Sequence, residues 1–123
     1  MSGMLPLEQK LFEHKTLQPD QIRQILQFSL WELEALRHWD KDSVFATLNQ
    51  LSKAMELKIR DLLFPLFIAI SGSTSSVSVI ESMAILGPDM SRARVRHALG
   101  VVGGPSKKET KLWDKAYQAL NLR

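Results

Sequence analysis

The sequence predicts an all-α fold, a single domain of about six helices, and three observations lead to this prediction. Apolar residues recur at spacings of three and four along much of the chain, which is the period of one face of an α-helix. Residues that favour helix starts stand ahead of these runs, at Pro19, at Asp42 or Ser43, and at Ser106. The chain has 123 residues, 45% of them hydrophobic and 24% charged, which suits one domain with a real core.

The first third of the chain predicts two helices. Residues 5–12 form one short helix, and a longer one runs from Pro19 to about Arg37. Proline is tolerated in the first turn because its missing N–H would have no partner there. The apolar stripe of the longer helix consists of Ile22, Ile25, Leu26, Leu30, Leu33 and Leu36. Residues 38–41 then turn the chain.

The middle of the chain predicts two further helices. Asp42 or Ser43 caps the first of them, because a short oxygen-bearing side chain accepts from the orphan N–H groups of the first turn. Its apolar stripe consists of Val44, Phe45, Leu48, Leu51, Met55 and Leu57. The second begins near Lys58 and contains Pro65, which predicts a kink or a break in the helix.

The remainder predicts three helices and divides the chain into two parts. One helix covers residues 77–86 and ends at Gly87, and the next opens at Pro88 or Asp89 and reaches Leu99. Residues 100–105 form a flexible joint. Ser106 and Glu109 match a capping box ahead of a last helix. One side of that helix carries Leu112, Trp113, Ala116, Tyr117 and Leu120. We therefore expect a helical domain over residues 1–99, with residues 100–123 as a linked C-terminal helix packed on it or extending from it.

Several classes of protein are disfavoured by composition and spacing. There is no cysteine, so a disulfide scaffold, a thiol nucleophile and a cysteine zinc site are excluded. The three histidines lie outside any metal-ligand spacing, and Glu32 and Glu34 diverge on a helix. We expect no metal, no cofactor and no catalytic residue. The longest apolar run, residues 62–70, is too short to span a membrane, and a cytoplasmic protein without membrane contact is expected.

Positive charge is concentrated in the last third of the chain. Residues 88–123 contain eight lysines or arginines and three acids, whereas residues 1–87 contain eight bases and ten acids. The eight bases are Arg92, Arg94, Arg96, Lys107, Lys108, Lys111, Lys115 and Arg123. This asymmetry suggests a polyanionic partner, and a solvated surface is the alternative that charge alone leaves open.

Two features are candidates for such a partner. The first is a hydroxyl-rich loop ahead of the predicted helix at 77–86, with Ser73, Thr74, Ser75 and Ser76. Hydroxyls and helix N-terminal amides bind phosphate oxygens or base edges, although they also serve as simple helix caps. The second is the pair Arg92 and Arg96, which lie four residues apart and share a helix face, while Arg94 lies away from it. That face contacts phosphate or is only solvated.

The order of three motifs resembles a known family. These are Leu57-Lys-Ile-Arg-Asp-Leu-Leu-Phe-Pro-Leu66, then Met83-Ala-Ile-Leu-Gly87 after the hydroxyl loop, then Ser91-Arg-Ala-Arg-Val-Arg-His-Ala-Leu99. Together they resemble the C-terminal anticodon-binding domain of bacterial glutamyl-tRNA synthetases. The resemblance implies an all-helical domain that binds the anticodon arm of tRNA, with tRNA-Glu as the expected partner. The tail over residues 100–123 is not a usual part of that pattern.

The resemblance also implies site residues. The positions that lie against the anticodon bases in the family correspond to Phe67, Ser76, Val77 and Val79. Phe67 replaces an arginine, and phenylalanine can stack on a base but cannot donate a hydrogen bond to its edge. The family's lysine after Leu-Gly is replaced by Pro88.

The catalytic signatures of the family, a His-x-Gly-His motif and a Lys-Met-Ser-Lys-type loop, are absent from this sequence. We therefore expect no amino-acid activation by this chain alone, and the catalytic domain of a parent synthetase as a partner if the chain is part of one. The alternative is a free-standing helical protein-interaction module, derived from the same fold, that does not bind tRNA.

Overall fold

A computed structural model describes residues 17–71 and 79–120 of the chain. These residues form six α-helices and no β-strand, which confirms the all-α prediction for this part of the chain. The helices are α1 (Pro19–Ala35), α2 (Lys41–Ala54), α3 (Ile59–Ser71), α4 (Val79–Leu86), α5 (Pro88–Val102) and α6 (Lys107–Ala119). The predicted helix at residues 5–12 lies outside the described residues. Within the described ranges, no helix combines the length and hydropathy needed to cross a bilayer.

Helix α1 packs against α2, α3 and α5. Pro19 occupies its first turn as predicted, and the N–H of Gln18 donates to the side chain of Gln21 at 2.8 Å. The helix ends two residues before the predicted end, because Leu36 turns to extended backbone with ψ 120°. Its buried apolar side chains are Ile22, Ile25, Leu26, Phe28, Leu30 and Leu33. The predicted stripe is thus in the core, with Phe28 added and Leu36 partly buried.

Helix α2 begins earlier than the sequence suggested. Asp40, in extended backbone, accepts a hydrogen bond from the N–H of Ser43 at 2.7 Å and is the N-cap. The prediction of Asp42 or Ser43 as the cap was therefore wrong by two or three residues. The Ser43 N–H lowers the pKa of Asp40, since it stabilises the carboxylate form. Of the predicted stripe, Val44, Leu48 and Leu51 are buried, whereas Phe45 is 43% exposed.

Helix α3 passes through Pro65 without a break. A proline inside a helix removes one main-chain hydrogen bond and crowds the preceding turn. Pro65 is itself buried, and burial of apolar side chains on both sides of it offsets that cost. The buried apolar residues of this helix are Leu62, Leu66, Ile68, Ala69 and Ile70. Tertiary packing therefore keeps one helix where a break was one of the two expected outcomes.

Helices α4 and α5 meet at a single residue, Gly87. Its N–H donates to the carbonyl of Met83 at 3.0 Å, and its φ of 85° lies in the left-handed region that favours glycine. The chain can therefore end α4 and enter α5 at Pro88 without a loop. Helix α5 continues beyond the predicted end to Val102, and it includes Gly100. The joint is consequently shorter than expected, and Gly103, with a φ of 92°, ends the helix.

Helix α6 starts at the predicted capping box. The Ser106 Oγ accepts from the N–H of Glu109 at 3.1 Å, and the Glu109 side chain accepts from the N–H of Ser106 at 3.2 Å. The apolar side of the helix is narrower than predicted. Tyr117 is buried, and Trp113 and Leu120 pack partly buried against the core. Leu112, however, is 58% exposed, and Ala116 is exposed as well.

Candidate functional site

The predicted site residues that the structure describes belong to three helices that pack on one another, α3, α4 and α5. Phe67 lies in the last two turns of α3 and packs partly buried against the core. Val79 is the first residue of α4 and is only 6% exposed, so its side chain belongs to the core. Ser73, Thr74, Ser75, Ser76 and Val77 lie outside the described residues. The structure thus places the two flanks of the hydroxyl loop in the same packed unit.

Arg92 directs its guanidinium at the end of α1. Its Nε and Nη2 donate to the carbonyl of Leu33 at 2.9 and 2.7 Å, and Nη2 also donates to the carbonyl of Leu36 at 3.3 Å. The last carbonyls of a helix have no partner within the helix, and a cation there also interacts favourably with the helix dipole. Arg92 therefore caps the C-terminus of α1.

A second set of contacts joins Arg92, through Trp39 just before α2, to α4. The guanidinium lies over the ring of Trp39 at 5.5 Å, and the indole N–H of Trp39 donates to the carbonyl of Met83 at 3.0 Å. The hydroxyl of Ser91, which is fully buried, donates to the same carbonyl at 3.2 Å. The ends of α1 and α4 and the starts of α2 and α5 are thereby tied together. Sequence reasoning missed this junction, because none of its contacts lies within one helical turn.

The other two arginines of α5 also contact the protein itself. Arg94 donates from Nη1 to the carbonyl of Ile70, near the C-terminus of α3. Arg96 lies 3.6 Å from Glu34 of α1, and both side chains are about half exposed, 53% and 43%. Arg92 and Arg96 both reach towards α1, as their shared face predicts, and Arg94 points to α3. Of these arginines, Arg96 is the one whose position on the surface suits contact with a partner.

Arg23 on α1 makes the first attachment of α6, and sequence reasoning did not single it out. Its guanidinium donates to Glu109 at 2.9 Å and to Asp20 at 2.9 Å, and it lies 5.3 Å from the ring centre of Trp113. It also donates to the carbonyls of Gly103 and Gly104, the first two residues after α5. Glu109 raises the pKa of Arg23, and Arg23 in turn lowers the pKa of Glu109.

Tyr117 makes the second attachment of α6. Its hydroxyl donates to a carboxylate oxygen of Glu32, which is only 5% exposed. The ring of Tyr117 lies 5.5 Å from that of Phe28 and 5.2 Å from that of Trp31. This cluster and Arg23 fix one face of α6 against α1.

The described residues contain no group of three or more His, Asp or Glu side chains placed to hold a metal ion. His38 lies 2.6 Å from Asp40, and both are at the surface beside the start of α2.

The chain is similar to a known domain family and to curated proteins. The family model for the anticodon binding domain matches residues 1–99. The chain is 54% identical to a glutamate–tRNA ligase of Marinobacter nauticus over 121 residues, 98% of the chain and 24% of that protein. It is 52% identical to the glutamate–tRNA ligase of a Marinomonas species, over 98% of the chain and 24% of that protein. It is 53% identical to that of Ectopseudomonas mendocina, over 97% of the chain and 24% of that protein.

Two facts follow from the extent of these matches. The chain spans about a quarter of the length of the curated relatives that it matches. The family model stops at residue 99, but the match to the M. nauticus ligase covers 98% of the chain. The tail over residues 100–123 is therefore shared with these relatives, and the expectation that it falls outside the family's usual pattern was wrong for them.

Proposed function

Because the chain belongs to the anticodon-binding domain family, in the branch formed by glutamate–tRNA ligases, we propose that it binds the anticodon arm of tRNA, with tRNA-Glu as its partner. The single observation that carries this proposal is the identity of 54% with a glutamate–tRNA ligase across 98% of the chain. At this level of identity the fold and the position of the binding surface are expected to be retained.

The proposed role is to position the tRNA for glutamylation. The chain spans 24% of the M. nauticus ligase, so the remaining three quarters of such a protein would supply the catalytic part. Binding energy from a remote part of the substrate orients the reacting end, which is how an anticodon-binding domain contributes to catalysis at a distance. We place this function in the cytoplasm, where protein synthesis uses charged tRNA.

The arrangement of α3, α4 and α5 supports a site, which we call the α3–α5 site, that combines base contact with phosphate contact. We assign base stacking to Phe67 and phosphate contact to Arg96 and to the hydroxyl loop of residues 73–76, with Val77 beside it. Val79 was a candidate as well, but its side chain is only 6% exposed and packs in the core, so we assign it no contact with RNA. Arg92 was a candidate for phosphate contact as well. Since its donors are directed at the carbonyls of Leu33 and Leu36, we assign it the role of positioning α5 against α1.

The residue type at position 67 determines how this site would contact an anticodon base. A phenylalanine ring stacks on any base, with about 1–3 kcal/mol per base, and stacking discriminates little among bases. A guanidinium at the same position would read base edges by bidentate hydrogen bonds. We therefore propose that this chain holds the anticodon arm with less base specificity at this position than a relative with arginine would have.

The test is a titration of the pure chain with labelled tRNA-Glu, with a tRNA-Glu whose anticodon bases are replaced, and with the isolated anticodon stem-loop. Binding should weaken as salt rises from roughly 50 to roughly 200 mM, because phosphate contacts release counterions. The stem-loop should retain most of the affinity, since the proposed site lies on the anticodon arm.

The alternative is a helical protein-interaction module without tRNA binding. The specific observation in its favour is Ile85, an apolar side chain on α4 that is 85% exposed. Failure to bind any of the three RNAs at roughly 50 mM salt and high micromolar protein would make this alternative the better account.

A further inference from the structure

Helix α6 has two opposite faces, one attached to the protein and one occupied by lysines. At about 100° per residue, Lys107, Lys111, Lys115 and Lys108 fall within an arc of about 100° around the helix axis. All four side chains are exposed. Glu109, Trp113, Tyr117 and Leu120 lie in an arc about 190° away, on the side that contacts α1 and the core. We call the four lysines the α6 lysine face.

The contacts of Arg23 and Tyr117 fix the direction of this face. Arg23 binds Glu109 and stacks on Trp113, and Tyr117 donates to the buried Glu32. These contacts span α6 from its first turn to its third, so the helix cannot rotate without breaking them. The lysine face is therefore presented to solvent in a fixed orientation, over about 12 Å along the helix axis.

The lysines of the α6 lysine face stand at positions where their charges lower the stability of helix α6. Lys107 and Lys108 stand in the first turn, at the positive end of the helix dipole, where acidic residues are the stabilising choice. Lys107, Lys111 and Lys115 are spaced four apart, and like charges at that spacing also destabilise a helix slightly. A set of residues that breaks local rules without a compensating contact indicates a functional surface.

The lysine face also differs from the other basic residues of the last third of the chain. Arg92 and Arg94 donate to main-chain carbonyls, and Arg96 lies beside Glu34. Within the described ranges, no acid forms an ion pair with Lys107, Lys108, Lys111 or Lys115. Among the described residues of this region, the positive charge that remains open to a partner thus lies on α6 and on the half-exposed Arg96. The acid nearest this arc on α6 is Asp114, at its edge.

We propose that the α6 lysine face binds the sugar–phosphate backbone of the tRNA, as a contact separate from the α3–α5 site. This inference rests on the proposed function. Lysine is a compact charge on a flexible stem, which suits phosphate oxygens and carries no base specificity. The face has no aromatic residue on which a base could stack. It would contribute affinity and orientation while the α3–α5 site contacts the anticodon.

The test compares three variants of the whole chain in tRNA-Glu titrations over a range of salt. The first is Lys108→Gln with Lys111→Gln and Lys115→Gln. The second replaces the same three lysines by arginine, which retains the charge. The third makes the same change of charge elsewhere, at three exposed bases on the end of α2 and the start of α3: Lys53→Gln, Lys58→Gln and Arg60→Gln.

The glutamine variant of α6 should lower the log–log salt slope by about 2.1–2.7, since each of three neutralised phosphates contributes about 0.7–0.9. Its affinity near roughly 50 mM salt should fall about tenfold or more. The arginine variant should keep the slope, and the variant at α2 and α3 should change it by less than half as much. The glutamine variant should also unfold at the same urea concentration as the wild type or at a higher one, because it removes unfavourable charges.

The inference is wrong if the wild type binds tRNA and the α6 glutamine variant keeps its slope, or loses no more slope than the variant at α2 and α3. That result would leave the anticodon-arm proposal intact. A wild type that binds none of the RNAs would instead refute the proposed function, and this inference with it. The two failures are therefore distinguishable in one set of titrations.

Discussion

Replacement of Arg92 by alanine tests whether this residue holds the fold together or contacts RNA. The side chain donates to the carbonyl of Leu33 through two nitrogen atoms and to that of Leu36 through one, and it stacks on Trp39. Alanine removes all four contacts and leaves the last carbonyls of α1 without these donors.

The cost is estimated from these contacts. Hydrogen bonds to a charged group contribute about 1.5–3 kcal/mol, and the two bonds to Leu33 share one acceptor, so together they count as little more than one. The cation–π contact with Trp39 adds about 0.5–1 kcal/mol. We expect Arg92→Ala to lower the free energy of unfolding by about 2–3 kcal/mol. In a domain of this size this lowers the melting temperature by about 10 °C.

The assay is urea unfolding followed by circular dichroism, with two matched controls on the same chain. Arg96→Ala removes an arginine that is half exposed and lies 3.6 Å from Glu34, and it should cost about 0.5 kcal/mol or less. Arg92→Lys retains the charge but not the planar fork, so its stability should lie between those of wild type and Arg92→Ala.

Binding provides the second measurement. At a temperature where Arg92→Ala is folded, its salt slope for tRNA should equal that of the wild type. Arg96→Ala should lower the slope by about 0.7–0.9, the value for one phosphate. If Arg92→Ala were as stable as Arg96→Ala and lost slope instead, the capping role would be refuted and Arg92 would be a phosphate contact.

Four further predictions concern α6, pH, catalysis and specificity. Tyr117→Phe removes a donor from the buried Glu32 and should cost about 1–3 kcal/mol in urea unfolding, whereas an unchanged midpoint would contradict the contact. Arg23 lowers the pKa of Glu109, so the stability from this pair is complete above the ordinary value of 4.5 and is lost as pH falls through the lower folded pKa. NMR signals of α6 should shift over that acidic range, and Glu109→Gln should abolish the shift. The pure chain should show no glutamate-dependent ATP–pyrophosphate exchange above a matched control preparation. Phe67→Arg should increase the preference for the native anticodon over a replaced one, because it adds a donor to base edges; equal affinities for both tRNAs would argue against this position as a base contact.

The helices were predictable wherever the signal was local. Pro19 begins α1, and Ser106 with Glu109 begins α6, because a helix start is determined by residues within one turn. The start of α2 was misplaced because Asp40, Asp42 and Ser43 are all good caps, and the choice depends on where the chain leaves α1. The continuity of α3 through Pro65 was open in the sequence, since it depends on packing against other helices.

The candidate site was predictable only in part. The resemblance indicated Phe67 and the arginine-rich helix, and the structure describes both. It did not indicate Arg23, whose partner Glu109 is 86 residues away, and no spacing rule connects residues at that distance. Its only local signal was Asp20 three residues before it, which sequence reasoning did not use.

The sequence by itself determined the helical class, most helix starts, the basic last third and the family, because each depends on residues close together in the chain or on their linear order. Only the tertiary structure decided how the positive charges are used. Arg92 reaches Leu33 across 59 residues and Arg94 reaches Ile70 across 24, while the lysines of α6 stay at the surface. A basic residue carries the same charge whether it binds a carbonyl within the fold or stays at the surface. Its role depends on whether a carbonyl or a carboxylate of another helix lies within reach, and the packing of the helices determines that.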